Sequence, residues 1–215
     1  GYTAGYAYRQ LQNLDQNIPY KILIMGPSHR VYLENAALSP DKIFEMPMGD
    51  IQVDMAESQR LISKFPSLIS SAIPHKLEHS LEVQLPFLKI ALKDFSIVPL
   101  VYGDISHDEL FLILEEFLLD DSRIAIISSD LSHYYSQKEA MAIDSYCIKG
   151  IEELDLPMFA GCQACGKPAI IASVQYALKH NLKSKTLDYK TSGDTTGDKD
   201  SVVGYGSFMF YKEGQ

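Results

Sequence analysis

Cysteine is scarce in this chain, with three among 215 residues. An odd handful builds no disulfide framework and suits a reducing cytoplasm better than secretion. No apolar run approaches the roughly 18 residues needed to cross a bilayer, so a soluble cytoplasmic protein with no membrane partner is expected. Lysine and arginine form no block, and the formal net charge is -9; without a basic footprint, nucleic acid is disfavoured as a partner. The nearest candidate, Lys179 to Lys185, is interrupted by polar and apolar residues and reads as a solvated helix end. Internal repeats and low-complexity tracts are missing too. The start at Gly1-Tyr2-Thr3 has no charged-then-apolar leader, so no signal peptide is visible.

What is present fits one α/β domain spanning residues 1–215, a length that a single core commonly serves. Tyr20 to Met25 is an unbroken apolar run of strand length, the pattern of a strand buried on both faces. Further strands are expected at Phe95 to Tyr102, Arg123 to Ser128 and Val202 to Tyr211. Helical spacing marks Ala4 to Leu14, Asp54 to Phe65, Leu81 to Leu92, Asp108 to Leu119, Ala140 to Leu154 and Pro168 to His180. Within the third of these, Pro86 must sit in the first turn or bend the helix, because proline lacks the donor N–H. Alternating strands and helices predict a mostly parallel or mixed sheet covered by helices, a three-layer α/β/α sandwich.

Polar clusters follow the strand-like runs: Gly26-Pro27-Ser28-His29 after the first, and Ser128-Ser129-Asp130-Leu131-Ser132-His133 after Ile124 to Ile127. Open α/β sheets bind ligands where side chains leave the carboxyl ends of neighbouring strands. His29, Cys165, Asp130 and His133 are therefore expected to face a common hollow. His29 is a candidate metal ligand or general base. Asp130 and His133, three residues apart, suit acid–base work or support of a metal ligand; the plain alternative is a backbone cap by Asp130. Glu78 and His79 are read as a site-lining pair. His75 and His79 have the spacing of a helical metal pair, but Pro74 and a helix start at Ser80 place His75 outside the helix. In Cys162-Gln163-Ala164-Cys165-Gly166-Lys167-Pro168, amides at the start of the next helix and Lys167 are expected to favour the Cys165 thiolate. Cys147, in a helical stretch, reads as a buried structural thiol. Asp194, Asp198 and Asp200 miss the calcium-loop spacing and read as a solvated loop.

Eight stretches in order resemble the Memo family, in particular component B of the prokaryotic AmmeMemoRadiSam set. They are Ala4-Gly5-Tyr6-Ala7-Tyr8, Gly26-Pro27-Ser28-His29, Glu78 to Leu88, Val98 to Gly103, Ser128 to Tyr134, Gln163-Ala164-Cys165-Gly166, Ser192 to Asp198 and Val202 to Gly206. The resemblance covers almost the whole chain. It implies kinship with class III extradiol dioxygenases and their cleft for non-haem iron at the strand ends of an α/β/α sandwich. It also implies a metal pocket of two histidines and a cysteine, holding iron or copper, with His29 and Cys165 as ligands and Asp130 and His133 as catalytic neighbours. Where the family pattern carries Pro-His-Ala-Gly-Tyr, this chain reads Tyr2-Thr3-Ala4-Gly5-Tyr6, with Thr3 in the histidine's place. Cys162 is a candidate replacement ligand.

The expected activity is metal-dependent redox chemistry on a small molecule or peptide, in association with the other AmmeMemoRadiSam components. The alternative is a non-catalytic module that binds a peptide, an anion or a protein in a degenerate metal cleft. A cysteine hydrolase built on Cys165 is a third reading, without an adjacent orienting signature.

Overall fold

The computed structural model describes residues 1–213. In chain order the elements are α1 (Tyr2–Leu11), β1 (Tyr20–Pro27), β2 (Ala36–Leu38), β3 (Ile43–Phe44), β4 (Ile51–Gln52), α2 (Met55–Lys64) and β5 (Leu68–Ser70). They continue with α3 (Leu85–Ala91), β6 (Phe95–Tyr102), α4 (His107–Phe117), β7 (Arg123–Ile127), β8 (His133–Tyr135) and α5 (Gln137–Glu152). The chain closes with α6 (Lys167–Lys179), β9 (Lys183–Thr191), α7 (Gly193–Thr196) and β10 (Val202–Tyr211). Two compact units result: Leu11–Ser128, and Gly1–Gln10 together with the chain from Ser129 onward.

The first unit is built on a five-stranded sheet in the order β5-β2-β6-β1-β7. β6, β1 and β7 run parallel, while β2 is antiparallel to β6, so the sheet is mixed and flanked by helices, as expected. Ile22, Leu23, Ile24 and Met25 of β1 are fully buried, which is why that run shows no alternation of polar and apolar residues. α2 is capped by Asp54, whose carboxylate accepts the Glu57 N–H, and it buries Glu57 against two arginines. Arg123 Nη1 donates to Glu57 Oε1 at 2.7 Å and Arg60 Nη2 donates to the same oxygen at 2.6 Å.

The segment expected as one helix from Leu81 to Leu92 is divided into a 3₁₀ turn at Glu82–Gln84 and α3, with Pro86 in the first turn of α3. Proline's missing N–H costs nothing there, whereas deeper in a helix it would leave a carbonyl unpaired.

The second unit contains an antiparallel sheet in the order β8-β10-β9 with α5 packed on it. α5 begins three residues earlier than its apolar pattern suggests, because Ser136 and Glu139 form a reciprocal capping box. Lys183–Thr191, whose start was expected to be a solvated helix end, is the strand β9; its lysines alternate with half-buried residues along the first half. Asp144 of α5 ties the unit together: its carboxylate accepts the Ser132 N–H at 2.8 Å and the Tyr189 hydroxyl at 2.8 Å. A Cβ at Gly204 would collide with that carboxylate, so this position on β10 admits only glycine.

Candidate functional site

In the five-stranded unit, polar groups gather at the carboxyl ends of β1 and β7. The Glu78 carboxylate accepts backbone N–H groups from His29, His79 and Ser80 and lies 2.9 Å from His29 Nδ1. Burial alone would raise the Glu78 pKa, but the His29 ring, the His29 and His79 amides and the His29 charge hold it below the ordinary carboxylate range. An ionised carboxylate only accepts, so Nδ1 carries the proton in this contact and Nε2 is the ring nitrogen turned away from Glu78. The Glu78 side chain is 3% exposed and that of His29 48%: a buried anchor presents an accessible ring. Ser80 Oγ donates to the Pro27 carbonyl at 3.1 Å and Gln84 Nε2 donates to Ser128 Oγ at 2.7 Å. This close docking needs Gly26, where a Cβ would meet Ser80 and Leu81 side-chain atoms at 2.6 to 2.8 Å.

The rings of the remaining histidines of this segment take no part in that arrangement. His79 turns to solvent and pairs with Glu82, so Glu78 reaches His29 without its sequence neighbour. His75 Nε2 bonds the Ala37 carbonyl at 3.1 Å, and burial lowers its pKa against the opposing effect of that bond and of Asp41 and Glu78.

In the three-stranded unit, Cys165, Asp130 and His133 are neighbours. The Asp130 N–H donates to Cys165 Sγ at 3.2 Å, and the Cys165 N–H donates to the Asp130 carbonyl at 3.2 Å. Ser129 Oγ accepts the Gly166 N–H at 2.8 Å and lies 3.6 Å from Cys165 Sγ. His133 Nε2 stands 3.6 Å from Asp130 Oδ2, within ion-pair range. Tyr205 has its hydroxyl pKa raised by burial and by the charge of Asp130. Tyr134, next to His133, holds a φ of 66°, the left-handed region that costs a non-glycine residue about 1 kcal/mol or more.

Three expectations change here. Cys165 is not poised as a thiolate: burial pushes its pKa up, and the bonds from Ser129 and the Asp130 amide offset only part of that. Desolvation of the anion outweighs the donors. Cys162 is not a free ligand, because it forms a disulfide with Cys147 at a Cα–Cα distance of 4.8 Å; the isolated structural thiol expected at Cys147 is likewise replaced. The pairing was invisible in the sequence because a 3₁₀ turn at Leu156–Gly161 folds Cys162 back onto α5. Thr3 lies buried near the start of α1. Among the described residues, no three His, Cys, Asp or Glu side chains come together as a metal cluster.

Sequence reasoning passed over Ser129, Asp144 and Tyr205. Ser129 and Tyr205 lay inside motifs already singled out; Asp144 carried no signal beyond an acidic residue on an amphipathic helix.

These features define a mixed α/β protein with a carboxylate-anchored imidazole at a strand end. The sequence model described as Memo-like protein matches residues 1–209. A MEMO1 family protein of Thermoplasma acidophilum is 34% identical, with 97% of this chain and 80% of the relative aligned. One from Aquifex aeolicus is 32% identical over 98% of this chain and 80% of its own length. The chain belongs to the Memo-like family. An uncharacterised protein of Escherichia coli K12, known from a crystal structure, shares the fold with a TM-score of 0.60, 14% identity and coverage of 94% and 92% of the two chains.

Proposed function

We propose that this Memo-like protein is a metal-dependent redox enzyme in which His29 and Cys165 are metal ligands and Asp130 and His133 serve proton transfer. The observation that carries the reading is the Glu78 carboxylate on His29 Nδ1. Metal-bound histidines almost always give their second ring nitrogen to a carboxylate or carbonyl, which fixes the tautomer and aims the free lone pair. Imidazole nitrogen and thiol sulfur suit iron and copper better than hard cations. Such an ion, when bound, supplies one-electron redox chemistry. The protein's own contribution is to orient the His29 ring from a buried anchor and to hold the Cys165 sulfur on a backbone N–H. Beside Cys165, Asp130 lies within ion-pair range of the partly exposed His133 ring, a candidate for accepting or releasing a proton. A small molecule or peptide is the substrate class, and the remaining AmmeMemoRadiSam components are the proposed associates, in the cytoplasm.

Elemental analysis of protein prepared without chelators tests this. Stoichiometric iron or copper is expected in the natural sequence, with loss in His29→Ala and in Cys165→Ser. Full metal retention in His29→Ala would sink the reading.

Thr3 favours a second reading, a binding module that retains the cleft without the metal, since a hydroxyl is a poor ligand beside imidazole. It predicts metal only in a Thr3→His variant, with binding of a small molecule or peptide that survives chelation.

A further inference from the structure

α5 braces both halves of the Cys165 environment. Through Asp144 it holds the Ser132 N–H, two residues after Asp130. Through Cys147 it holds Cys162 covalently, three residues before Cys165. Between these anchors, Cys165 is held by its reciprocal hydrogen bonds with Asp130, by the neighbouring Gly166 N–H and by contact with Ser129. Cys147 and Cys162 are 1% and 4% exposed, while Cys165 is half-buried and free.

We propose that the Cys147–Cys162 disulfide is a redox-sensitive brace that controls access to Cys165. A dithiol reductant attacks one sulfur of the bridge, releases the other as a thiol through a mixed disulfide, and then closes on itself. Two electrons and two protons pass from the dithiol to the cysteine pair, and the dithiol leaves as its own disulfide. Freed from its covalent tie to α5, the segment from Cys162 to Gly166 is held by packing and by hydrogen bonds to Ser129, Asp130, Phe159 and Tyr135, so it opens more often and exposes the Cys165 sulfur. Disulfides that occur in reducing compartments are usually transient and redox-sensing, which matches one placed three residues from a free thiol. The brace would also govern metal retention if Cys165 is the ligand proposed above; the test below needs no metal and so fails or succeeds independently of that role.

The experiment is residue-resolved alkylation of the whole chain by iodoacetamide, read by peptide mass spectrometry after chelator dialysis. The oxidised protein should label Cys165 slowly and leave Cys147 and Cys162 unlabelled. Reduction with dithiothreitol should accelerate Cys165 labelling at least about tenfold, and re-oxidation should restore the slow rate. A Cys147→Ser variant that keeps its far-ultraviolet circular dichroism should label Cys165 quickly without reductant; if that variant does not fold, the reduced natural sequence carries the comparison. An unchanged Cys165 rate on reduction, or three free thiols in protein treated with an oxidant, would overturn the proposal.

Discussion

The two units hold their reactive side chains in opposite ways. In the five-stranded unit a buried carboxylate, Glu78, supports a ring that reaches solvent, and four donors keep that carboxylate ionised. In the three-stranded unit the reactive group itself is withdrawn: Cys165 is kept neutral by burial, while Asp130 and His133 beside it are partly exposed. The difference is one of solvation. A charge can be buried when several N–H groups surround it, whereas burial outweighs the Ser129 hydroxyl and the Asp130 and Gly166 amides at the Cys165 sulfur, which sits near the Asp130 charge as well.

The largest expected effects test the buried carboxylates that organise each unit. Glu57→Ala removes the buried carboxylate shared by Arg60 and Arg123 and should cost about 3 kcal/mol in urea unfolding, the usual penalty for breaking a buried ion pair. Asp144→Ala leaves the Ser132 amide and the Tyr189 hydroxyl without their acceptor and should cost about 2 kcal/mol. If the two losses came out reversed, charge burial would not be what separates the units.

Next comes the ligand support. Glu78→Gln should weaken iron or copper binding by about 10–100-fold in titration, as expected for removing a carboxylate behind a histidine ligand. Asp130→Asn, which loosens a 3.6 Å pair with His133 and keeps the backbone bonds to Cys165, should change it far less.

The units should also part company with pH. Burial would raise the Glu57 pKa, but bonds and charge from Arg60 and Arg123 hold it below the ordinary value; Glu116 is lowered first by Lys64 and also by Arg60. A depressed folded pKa gives stability that is complete above the unfolded value, about 4.3 for glutamate, and lost as pH falls through the folded one. The five-stranded unit should therefore weaken on acidification below about pH 4.5. Tyr189 runs the other way, raised by burial and then by Asp144, so its contribution is lost as pH climbs past about 10. Urea midpoints across pH, with tyrosine absorbance near 295 nm as the alkaline probe, check both. The smallest effect is His79→Ala: this exposed ring pairs with an exposed Glu82, and its removal should shift stability by less than about 0.5 kcal/mol.

Phe95–Tyr102 was legible to the residue because its apolar run ends at a glycine turn, and α2 because Asp54 and its periodicity agree. β9 was missed because three lysines disguise a strand with one solvated side. His29, Asp130, His133 and Cys165 were singled out by motif and strand-end position, and the last three are neighbours in the structure. Their supporting partners were less so: Glu78 lies 49 residues from His29, and nothing local announces which of Glu78 and His79 turns inward.

By itself the sequence determined the β1, β6 and β7 strands, the polar clusters that follow them and the family, because hydrophobic period and turn chemistry are local properties. Tertiary structure alone decided that Glu78 anchors His29, that burial keeps Cys165 protonated and that Cys162 is bonded to Cys147. Those outcomes depend on desolvation and on contacts between residues far apart in the chain, which no local pattern encodes.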